Sequence, residues 1–332
     1  MKHQMNNEKI IRPLASWQGM DRLVDEIVPS TTIILTSGGC SWNRCRMCQY
    51  RHERFQGADH DNLDYLMQQQ LSYLQNNLDY EETPLIKLYT SGSFFDPAEV
   101  PQTIHDAVAS QFRGKCMIIE SRIDYTDIDL INRFVTELDD GSHKTPLYIA
   151  LGIETSSDAI REKCIDKGVT FDEFVKTADK LHDNGVGVKS YLLHKPAYLT
   201  EKEAFDDMIH SIEDIAPYSD MISMNPCTVQ RNTHVERLYK AGQYRPPYLW
   251  SVVSILLTAK PHLSCDPMGG GQARGPHNCG TCDTILTDGI RDYALTADRE
   301  LLRSLMSYQC DCHEEWEFVM EHERPYNMPL TS

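Results

Sequence analysis

The stretch Thr36-Ser-Gly-Gly-Cys-Ser-Trp-Asn-Arg-Cys-Arg-Met-Cys-Gln-Tyr50 brings three cysteines, Cys40, Cys45 and Cys48, together within nine residues. It follows a short apolar run, 31–35, of the kind found in buried strands. Thiolates this close together on one loop can bind three irons of a [4Fe-4S] cluster and leave the fourth iron free for a small molecule. The stretch therefore predicts an iron-sulfur site with one open position.

Other interpretations of these cysteines are weaker. A disulfide framework is disfavoured because the chain is 332 residues long, has an odd total of 11 cysteines and shows no secretory signal. A zinc site stays open as an alternative, since His52 can supply a fourth ligand. Elsewhere, Cys116, Cys164 and Cys227 have no partner at ligand spacing, and we expect them to be buried apolar residues.

Composition indicates a soluble protein of a reducing cytoplasm. Apolar residues make up 41% of the chain, and no uncharged stretch approaches the roughly 18 residues of a membrane span. The net charge of -17 argues against a uniformly basic nucleic-acid surface. It leaves room for a local basic patch, so an RNA partner would have to meet a patch of charge.

Short apolar runs alternate with amphipathic helical patterns, which is typical of βα units around a parallel sheet. We predict an α/β fold with a partial (β/α)6 barrel of TIM type at residues 31–230. An N-terminal extension at 1–30 precedes it, and a helical, cysteine-rich, metal-binding region at 231–332 follows. The six predicted strands are 33–35, 85–90, 116–120, 147–153, 186–193 and 221–225.

Local signals support the intervening helices. Apolar residues recur at helical spacing over 61–76, Pro101 opens the next helix, and the pattern over 171–184 stops at Gly185. Thr200 and Glu203 have the spacing of a capping box. Because barrel enzymes place their sites at the carboxyl ends of the strands, polar residues there are functional candidates.

The cysteine stretch resembles that of radical S-adenosylmethionine enzymes, with Met47 in the usual apolar position before the last cysteine. Four residues separate the first two cysteines here, where the common pattern has three. The segments 89–97, 120–122, 151–155, 191–196 and 244–250 resemble the family of archaeosine synthase beta subunits, which is related to the elongator catalytic subunit. The likeness covers roughly residues 10–320.

The resemblance implies a radical S-adenosylmethionine barrel and its chemistry. One-electron reduction of the cluster would cleave S-adenosylmethionine to methionine and a 5′-deoxyadenosyl radical, which removes a hydrogen atom from the substrate. The implied substrate is a lysine-modified 7-deazaguanine in tRNA, whose lysine C–N bond breaks to leave the amidine of archaeosine. Expected partners are tRNA, the lysine-transferring archaeosine synthase subunit and an electron donor such as ferredoxin or flavodoxin.

The resemblance also suggests where the cofactor binds. The segment Ser91, Gly92 and Ser93 stands where the family meets the methionine amino group, although a structural turn also explains the glycine. Tyr50 stands where the family's backbone contacts the adenine, and its ring is equally compatible with core packing. Asn225, after the sixth strand, can orient cofactor or substrate through its amide.

Charged residues at the strand ends complete the candidate set. Glu120, Arg122 and Glu154 can converge on the cofactor's carboxylate and ribose hydroxyls, or form a buried ion pair instead. Lys195 is predicted to contact an anion, with a solvated loop lysine as the alternative. These residues are candidates for cofactor binding, and the catalytic residues are not identified from the sequence.

A second metal signal lies in the tail, where Cys265 precedes Cys279 and Cys282, and Cys310 and Cys312 follow. We predict a structural zinc site formed by Cys265, Cys279, Cys282 and one of the last two cysteines. An auxiliary iron-sulfur cluster is the alternative metal.

The glycine-rich segment within this tail, 268–278, matches no nucleotide-binding motif. His277 can replace one of the cysteine ligands. Together with Arg274, it can instead contact RNA.

Two competing functions remain open at this point. One is a radical enzyme that acts on a different tRNA base or on a small molecule. The other is a non-catalytic, metal-stabilised RNA-binding or scaffold protein, which would bind tail zinc and would not cleave the cofactor.

Overall fold

The protein is described by a computed structural model over residues 11–57, 60–324 and 329. The first ten residues of the predicted N-terminal extension lie outside this part of the chain. No helix in the described ranges is both long and apolar enough to cross a membrane.

One sheet of eight strands forms the centre of the molecule, and its strands follow chain order from β1 to β8. The first two strands are antiparallel, and every later neighbour is parallel. Backbone pairing between β1 and β8 is absent among the described residues, so the barrel is nearly but not fully closed. The strands are β1 (Ala15–Leu23), β2 (Glu26–Ile34), β3 (Leu85–Tyr89), β4 (Cys116–Ser121), β5 (Leu147–Glu154), β6 (Gly187–His194), β7 (Met221–Pro226) and β8 (Leu263–Cys265).

The predicted α/β barrel is confirmed, and the sheet extends beyond the six predicted strands at both edges. Those six correspond to β2–β7. Residues 15–23, placed in the N-terminal extension by the sequence, form the antiparallel edge strand β1. Residues 263–265, placed in the tail, form β8 beside β7.

Helices connect the parallel strands and build the C-terminal part of the chain. The helix predicted at 61–76 is α1, and the one predicted at 171–184 is α5, which ends before Gly185 at φ +72°. The helices are α1 (His60–Asn77), α2 (Gln102–Gln111), α3 (Ile128–Leu138), α4 (Asp158–Ile160), α5 (Phe171–Asp183), α6 (Glu201–Ile215), α7 (His234–Lys240), α8 (Leu249–Thr258), α9 (Asp283–Thr296), α10 (Arg299–Met306) and α11 (Cys312–His322).

Helix caps explain why several of these helices begin where they do. Pro101 stands immediately before α2, where a missing N–H costs no hydrogen bond. The predicted capping box of α6 is confirmed: the Thr200 side chain accepts a hydrogen bond from the Glu203 amide, and the Glu203 carboxylate accepts one from the Thr200 amide. Helix α4 continues directly into a π-helical turn at Arg161–Ile165.

The two faces of the sheet have different chemistry because side chains alternate along each strand. One face packs under the helices in the large apolar core, for example through Ile119, Ile149 and Val188. The inner face has a smaller apolar cluster around Ile118 and Ala150. Polar and charged side chains lie next to that cluster, which is unusual for a barrel interior that serves only for packing.

The loops at the carboxyl ends of the strands carry an unusual share of strained backbone. Of the eight described non-glycine residues with positive φ, five lie in these loops and a sixth, Glu154, is the last residue of β5. Such conformations cost free energy, and they gather where a site requires a fixed geometry. The six residues are Asn43, Glu154, Asp166, Lys195, Tyr198 and Asn232.

Candidate functional site

The cysteine loop, residues 36–50, leaves the carboxyl end of β2 and is held by two other strand ends. Trp42 Nε1 donates a hydrogen bond to the carbonyl of Asp166, at 2.7 Å, in the segment after β5. The Gln49 amide donates to Oε1 of Gln230, at 2.9 Å, in the segment after β7. The path of the loop is therefore determined by its neighbours at the barrel mouth.

The three thiols of the cysteine loop are partly exposed and do not form a single-ion site. Burial raises the pKa of Cys45 and of Cys48, the latter to about 11. Among the described residues, the three sulfurs and His52 are not a group whose ligand atoms all lie within 4.8 Å of one another. A cluster places each thiolate on a different iron, so its ligands stand farther apart than those of one zinc ion. The three thiols therefore do not have the spacing expected for the ligands of one zinc ion.

The loop after β3 approaches the cysteine loop at Gly92. A Cβ atom added to Gly92 would lie 2.6 Å from the Cβ of Cys40 and 2.5 Å from Oε2 of Glu99. Ser91 is buried and its hydroxyl donates to the carbonyl of Glu53, while the Ser93 hydroxyl accepts from the Arg122 amide at 3.0 Å. The absence of a side chain at Gly92 is thus required by the close approach of Cys40.

Replacing Gly92 by alanine is expected to lower the iron bound per chain after anaerobic reconstitution, because Cys40 must move to make room. We also expect the free energy of unfolding to fall by about 1–3 kcal/mol, as in other overpacked sites. Gly19→Ala is the matched control, since no atom lies within 4 Å of the added Cβ. Normal iron content in Gly92→Ala would contradict the close approach.

Glu99 organises these two loops, and it is not among the residues predicted from the sequence. Its side chain is fully buried and accepts hydrogen bonds from the Ser37 hydroxyl at 2.8 Å and the Ser93 amide at 2.6 Å. Its own carbonyl accepts from the Gly38 amide at 3.0 Å. Burial raises the pKa of Glu99, and these hydrogen bonds oppose the rise. The carboxyl group therefore ties the β3 loop to the start of the cysteine loop.

The charged candidates after β4 and β5 lie together, but Arg122 and Glu154 pair with other residues and not with each other, unlike in the alternative of a buried Arg–Glu pair. Arg122 forms a bidentate pair with Asp124, at 2.9 and 3.0 Å. Glu154 accepts from Lys167 Nζ at 2.8 Å, and the backbone carbonyl of Lys167 accepts from the Arg122 guanidinium at 3.0 Å. The guanidinium group of Arg122 is already paired, because the carboxylate of Asp124, two residues along the chain, accepts two parallel hydrogen bonds from it.

The ammonium group of Lys167 places a positive charge beside Cys45 of the cysteine loop. Interaction with Glu154 and with Cys45 raises the pKa of Lys167 despite the opposing effect of burial, so the ammonium stays charged. The same ammonium lowers the cost of a thiolate at Cys45. Sequence offers no signal for this residue, which lies in the loop after the π-helical turn.

A polar layer lines the barrel interior below this rim. Glu120 lies in register with Ala150 on β5, and Ala150 lies in register with Lys189 on β6. Burial raises the pKa of Glu120 to about 7, and burial lowers that of Lys189 to about 8. The hydroxyls of Tyr89 and Tyr191 meet at 3.4 Å nearby. The interior thus holds groups that change protonation near neutral pH.

Replacing Glu120 by glutamine is expected to flatten part of the pH dependence of stability. Because its folded pKa of about 7 lies above the ordinary value of 4.5, the folded state binds the extra proton between these values. The wild type therefore loses up to about 3 kcal/mol as pH rises from 4.5 to 7, and the variant does not.

This expectation is checked by urea unfolding of wild type and variant at pH 5 and pH 8. Between pH 5 and pH 8, the free energy of unfolding of the variant should rise relative to that of the wild type. The same comparison with the exposed Glu137→Gln on α3 should show no such change. An equal change in the free energy of unfolding between pH 5 and pH 8 for wild type and Glu120→Gln would contradict the raised pKa of Glu120.

Three other predicted cofactor residues differ in how available they are. Lys195 is buried, and its ammonium group pairs with the buried carboxylate of Glu201 at 2.7 Å. The anion that Lys195 contacts is therefore a side chain of the same protein. This pairing forms because α6 begins directly above the end of β6. Asn225, on β7, is partly buried at the mouth, and Tyr50 is exposed.

The tail cysteines form the only described group of three or more metal-ligating side chains within 4.8 Å of one another. The sulfurs of Cys279 and Cys310 are 3.6 Å apart, those of Cys282 and Cys312 are 3.6 Å apart, and those of Cys310 and Cys312 are 3.4 Å apart. A tetrahedron with metal–sulfur bonds of roughly 2.3 Å has edges of about 3.8 Å. The four sulfurs therefore fit one tetrahedral ion.

This group corrects the ligand set expected from the sequence. Both Cys310 and Cys312 belong to it, and Cys265 does not, because that residue is buried in the apolar core as the last residue of β8. The ring of His277 contacts the Gly275 carbonyl at 2.8 Å and lies outside the group. Arg274, considered for RNA contact, is paired with Glu236 at 2.8 Å.

Comparison with known proteins places the chain in a family. No protein-family model matches the sequence. The chain is 38% identical over 331 residues to archaeosine synthase subunit beta of Methanosarcina acetivorans, with 96% of this chain and 93% of that one covered. It belongs to the archaeosine synthase subunit beta family. The Thermococcus kodakarensis subunit beta is 31% identical over 324 residues, covering 92% of this chain and 96% of that one.

Solved structures agree with the fold expected for an archaeosine synthase subunit beta. The chain resembles Methanocaldococcus infernus Elp3 with an N-terminal deletion and methylornithine synthase, each with a TM-score of 0.50 and 16% identity. The alignments cover 70% of this chain, 59% of Elp3 and 63% of the synthase, so the chain spans about three fifths of the length of these structures. These two structures support the predicted α/β barrel fold.

Proposed function

We propose that this protein is a radical S-adenosylmethionine enzyme of tRNA modification that forms archaeosine. The observation that carries the proposal is the cysteine loop, which carries three partly exposed thiols at the carboxyl end of β2. Its relatives in two archaea are named archaeosine synthase subunit beta. These names supply the reaction, and the barrel supplies a fold that can perform it.

In this proposal Cys40, Cys45 and Cys48 hold a [4Fe-4S] cluster, and S-adenosylmethionine binds beside it. Bound together, these groups supply a carbon radical that removes a hydrogen atom from the substrate. The donor set fits the cluster, since the three thiols are partly exposed and Gly92 leaves room for Cys40. The charged Lys167 offsets the negative charge that thiolates bring to this part of the mouth.

The remaining rim residues would hold S-adenosylmethionine by its polar ends. Ser91, Gly92 and Ser93 offer hydroxyl and backbone groups to its ammonium, and Arg122 and Glu154 face its carboxylate and ribose. Each of these two charges now has a protein partner, so cofactor binding would exchange or share those pairs. Tyr50 and Asn225 are proposed to contact the adenine end and to orient the bound molecule, respectively. Lys195, already paired, would act by fixing the loop after β6.

The proposed substrate is a lysine-modified 7-deazaguanine in tRNA, whose lysine C–N bond is broken to leave an amidine. Glu120 is suited to proton transfer at this nitrogen, because a carboxyl group with a pKa of about 7 can give or take a proton at neutral pH. Tyr89 and Tyr191 offer hydroxyls from the same interior face. The barrel would hold the reacting carbon close to the radical and exclude water.

We further propose that Cys279, Cys282, Cys310 and Cys312 bind one structural zinc ion. Trp250 Nε1 lies 3.3 Å from the sulfur of Cys312, and Asn278 Nδ2 lies 3.2 Å from that of Cys282. Such N–H donors stabilise the negative charge of metal-bound thiolates. The sulfur separations suit one ion better than a cluster with several irons.

The proposed partners follow from this chemistry. The enzyme needs tRNA, the lysine-transferring subunit and a one-electron donor such as ferredoxin or flavodoxin. A cytoplasmic location keeps the cysteine thiols reduced for metal binding. No membrane partner is proposed.

An anaerobic assay tests the proposed function. The reconstituted protein is incubated with S-adenosylmethionine, dithionite and tRNA carrying the lysine adduct, with and without the partner subunit, and the digested nucleosides are analysed by mass spectrometry. Archaeosine together with 5′-deoxyadenosine supports the proposal. Cofactor cleavage without archaeosine indicates another substrate, and a full cluster without cleavage on any tRNA indicates a binding or scaffold protein.

A further inference from the structure

A basic pocket lies against the cysteine loop at the barrel mouth. Its volume is about 150 Å³, room for about five water molecules at roughly 30 Å³ each. Three guanidinium groups and one carboxylate line it together with the thiol-bearing Cys45. The lining residues are Arg44, Cys45, Arg46, Asp166, His234 and Arg237.

The positive charge of this pocket is only partly neutralised. Arg44 reaches Asp166 at 3.4 Å and its side chain is 62% exposed. The Nε atom of Arg46 is buried and has no hydrogen-bond partner among the described residues. Arg237 contacts Nδ1 of His234 at 3.0 Å, a neutral partner because burial and the two neighbouring arginines lower the pKa of His234. Three guanidinium groups therefore face one carboxylate.

The positive charge of this pocket contrasts with the acidic character of the whole chain. A net charge of -17 repels a polyanion at long range, so an RNA substrate must be held by a local concentration of positive charge. Guanidinium groups match phosphate oxygens in pairs, and a concave pocket suits a compact oxyanion better than it suits the broad surface of an acidic protein.

We propose that this pocket, the arginine pocket, binds a backbone phosphate of the RNA substrate. The inference rests on the proposed function, in which the substrate is tRNA. A phosphate held by Arg44, Arg46 and Arg237 places the RNA chain next to Cys45, and so at the edge of the cluster site. Such contacts position the nucleic acid and carry little sequence information.

The test compares two double variants that lose the same charge. Arg44→Ala/Arg237→Ala removes two of the three guanidinium groups that line the arginine pocket. Arg291→Ala/Arg303→Ala removes two exposed arginines from α9 and α10, and serves as the control. Binding of the reconstituted proteins to a tRNA transcript is measured by fluorescence anisotropy between 50 and 200 mM salt, and iron content verifies that the cluster site is assembled.

We expect the pocket variant to bind tRNA at least about tenfold more weakly at low salt than wild type. The slope of log affinity against log salt should fall by about one for each phosphate that the variant no longer neutralises, to a similar extent for tRNAs of different sequence. The control should bind like wild type. A variant with reduced iron is replaced by Arg237→Glu, which leaves the cysteine loop unchanged.

Three results would overturn the proposal. Equal losses in both double variants would show a general charge effect. Unchanged tRNA binding together with loss of reduced flavodoxin binding would show that the pocket docks an acidic electron donor. Absence of salt-dependent tRNA binding by the wild type, both alone and with the partner subunit, would reject the RNA substrate itself, and with it the proposed function, whereas the first two results leave that function intact.

Discussion

Cys45→Ala is expected to abolish S-adenosylmethionine cleavage while leaving the barrel folded. The side chain is partly exposed on a loop, and the loop is held by hydrogen bonds from Trp42 and Gln49, so its removal opens no core cavity. Loss of one of three cluster ligands should lower 5′-deoxyadenosine formation by at least about a hundredfold, since even changes in residues behind metal ligands cost ten- to hundredfold. The measurement is chromatographic detection of 5′-deoxyadenosine after reduction with dithionite.

Cys116→Ala provides the matched control for this prediction. It removes a thiol of the same chemistry from the buried start of β4, where no metal-ligating group surrounds it among the described residues. We expect full iron content and normal cleavage, with a modest loss of stability from the small cavity. Cleavage that survives in Cys45→Ala, or disappears equally in Cys116→Ala, would reject the role of the cysteine loop.

The central strands of the barrel can be predicted from sequence, and its edges cannot. Strand β5 is a continuous apolar run that is buried along nearly its whole length, which is the pattern of a central parallel strand. Strand β1 is not an apolar run of this kind, and its large apolar residues do not mark a buried face, since Trp17 is 49% and Met20 is 53% exposed. Strand β8 has only three residues, too few for any periodicity. Both edges form because β2 and β7 offer them backbone hydrogen bonds.

The ligand chemistry of the site is predictable, and the pairing of its charges is not. Cysteine spacing points to the cysteine loop and to the group of tail cysteines, although it wrongly placed Cys265 in that group. The Lys167–Glu154 pair spans thirteen residues and depends on how the loop after β5 folds back. Lys195 meets Glu201 only when α6 packs above the end of β6. Such pairs are determined by the tertiary fold and leave no local pattern in the sequence.

Cys279→Ser is expected to lose the tail metal and to unfold the tail at lower temperature. In the proposed zinc site, four sulfurs that lie within 4.8 Å of one another bind one ion, and Cys279→Ser removes one of those four ligands. A bound zinc present at a thousandfold its dissociation constant stabilises the folded state by about 4 kcal/mol. Metal analysis of protein purified without added iron, and thermal unfolding with and without a chelator, measure both effects.

Cys265→Ala separates this metal centre from the ligand set that spacing alone suggested. Cys265 lies on β8, outside the group of four sulfurs, so its replacement should leave one zinc per chain and preserve the response to chelator. The cavity left in the core should lower stability independently of metal. Because Cys279 and Cys265 are both tail cysteines, the contrast tests geometry against spacing. Zinc lost from Cys265→Ala as well as from Cys279→Ser would show that the tail binds its ion through the set with Cys265.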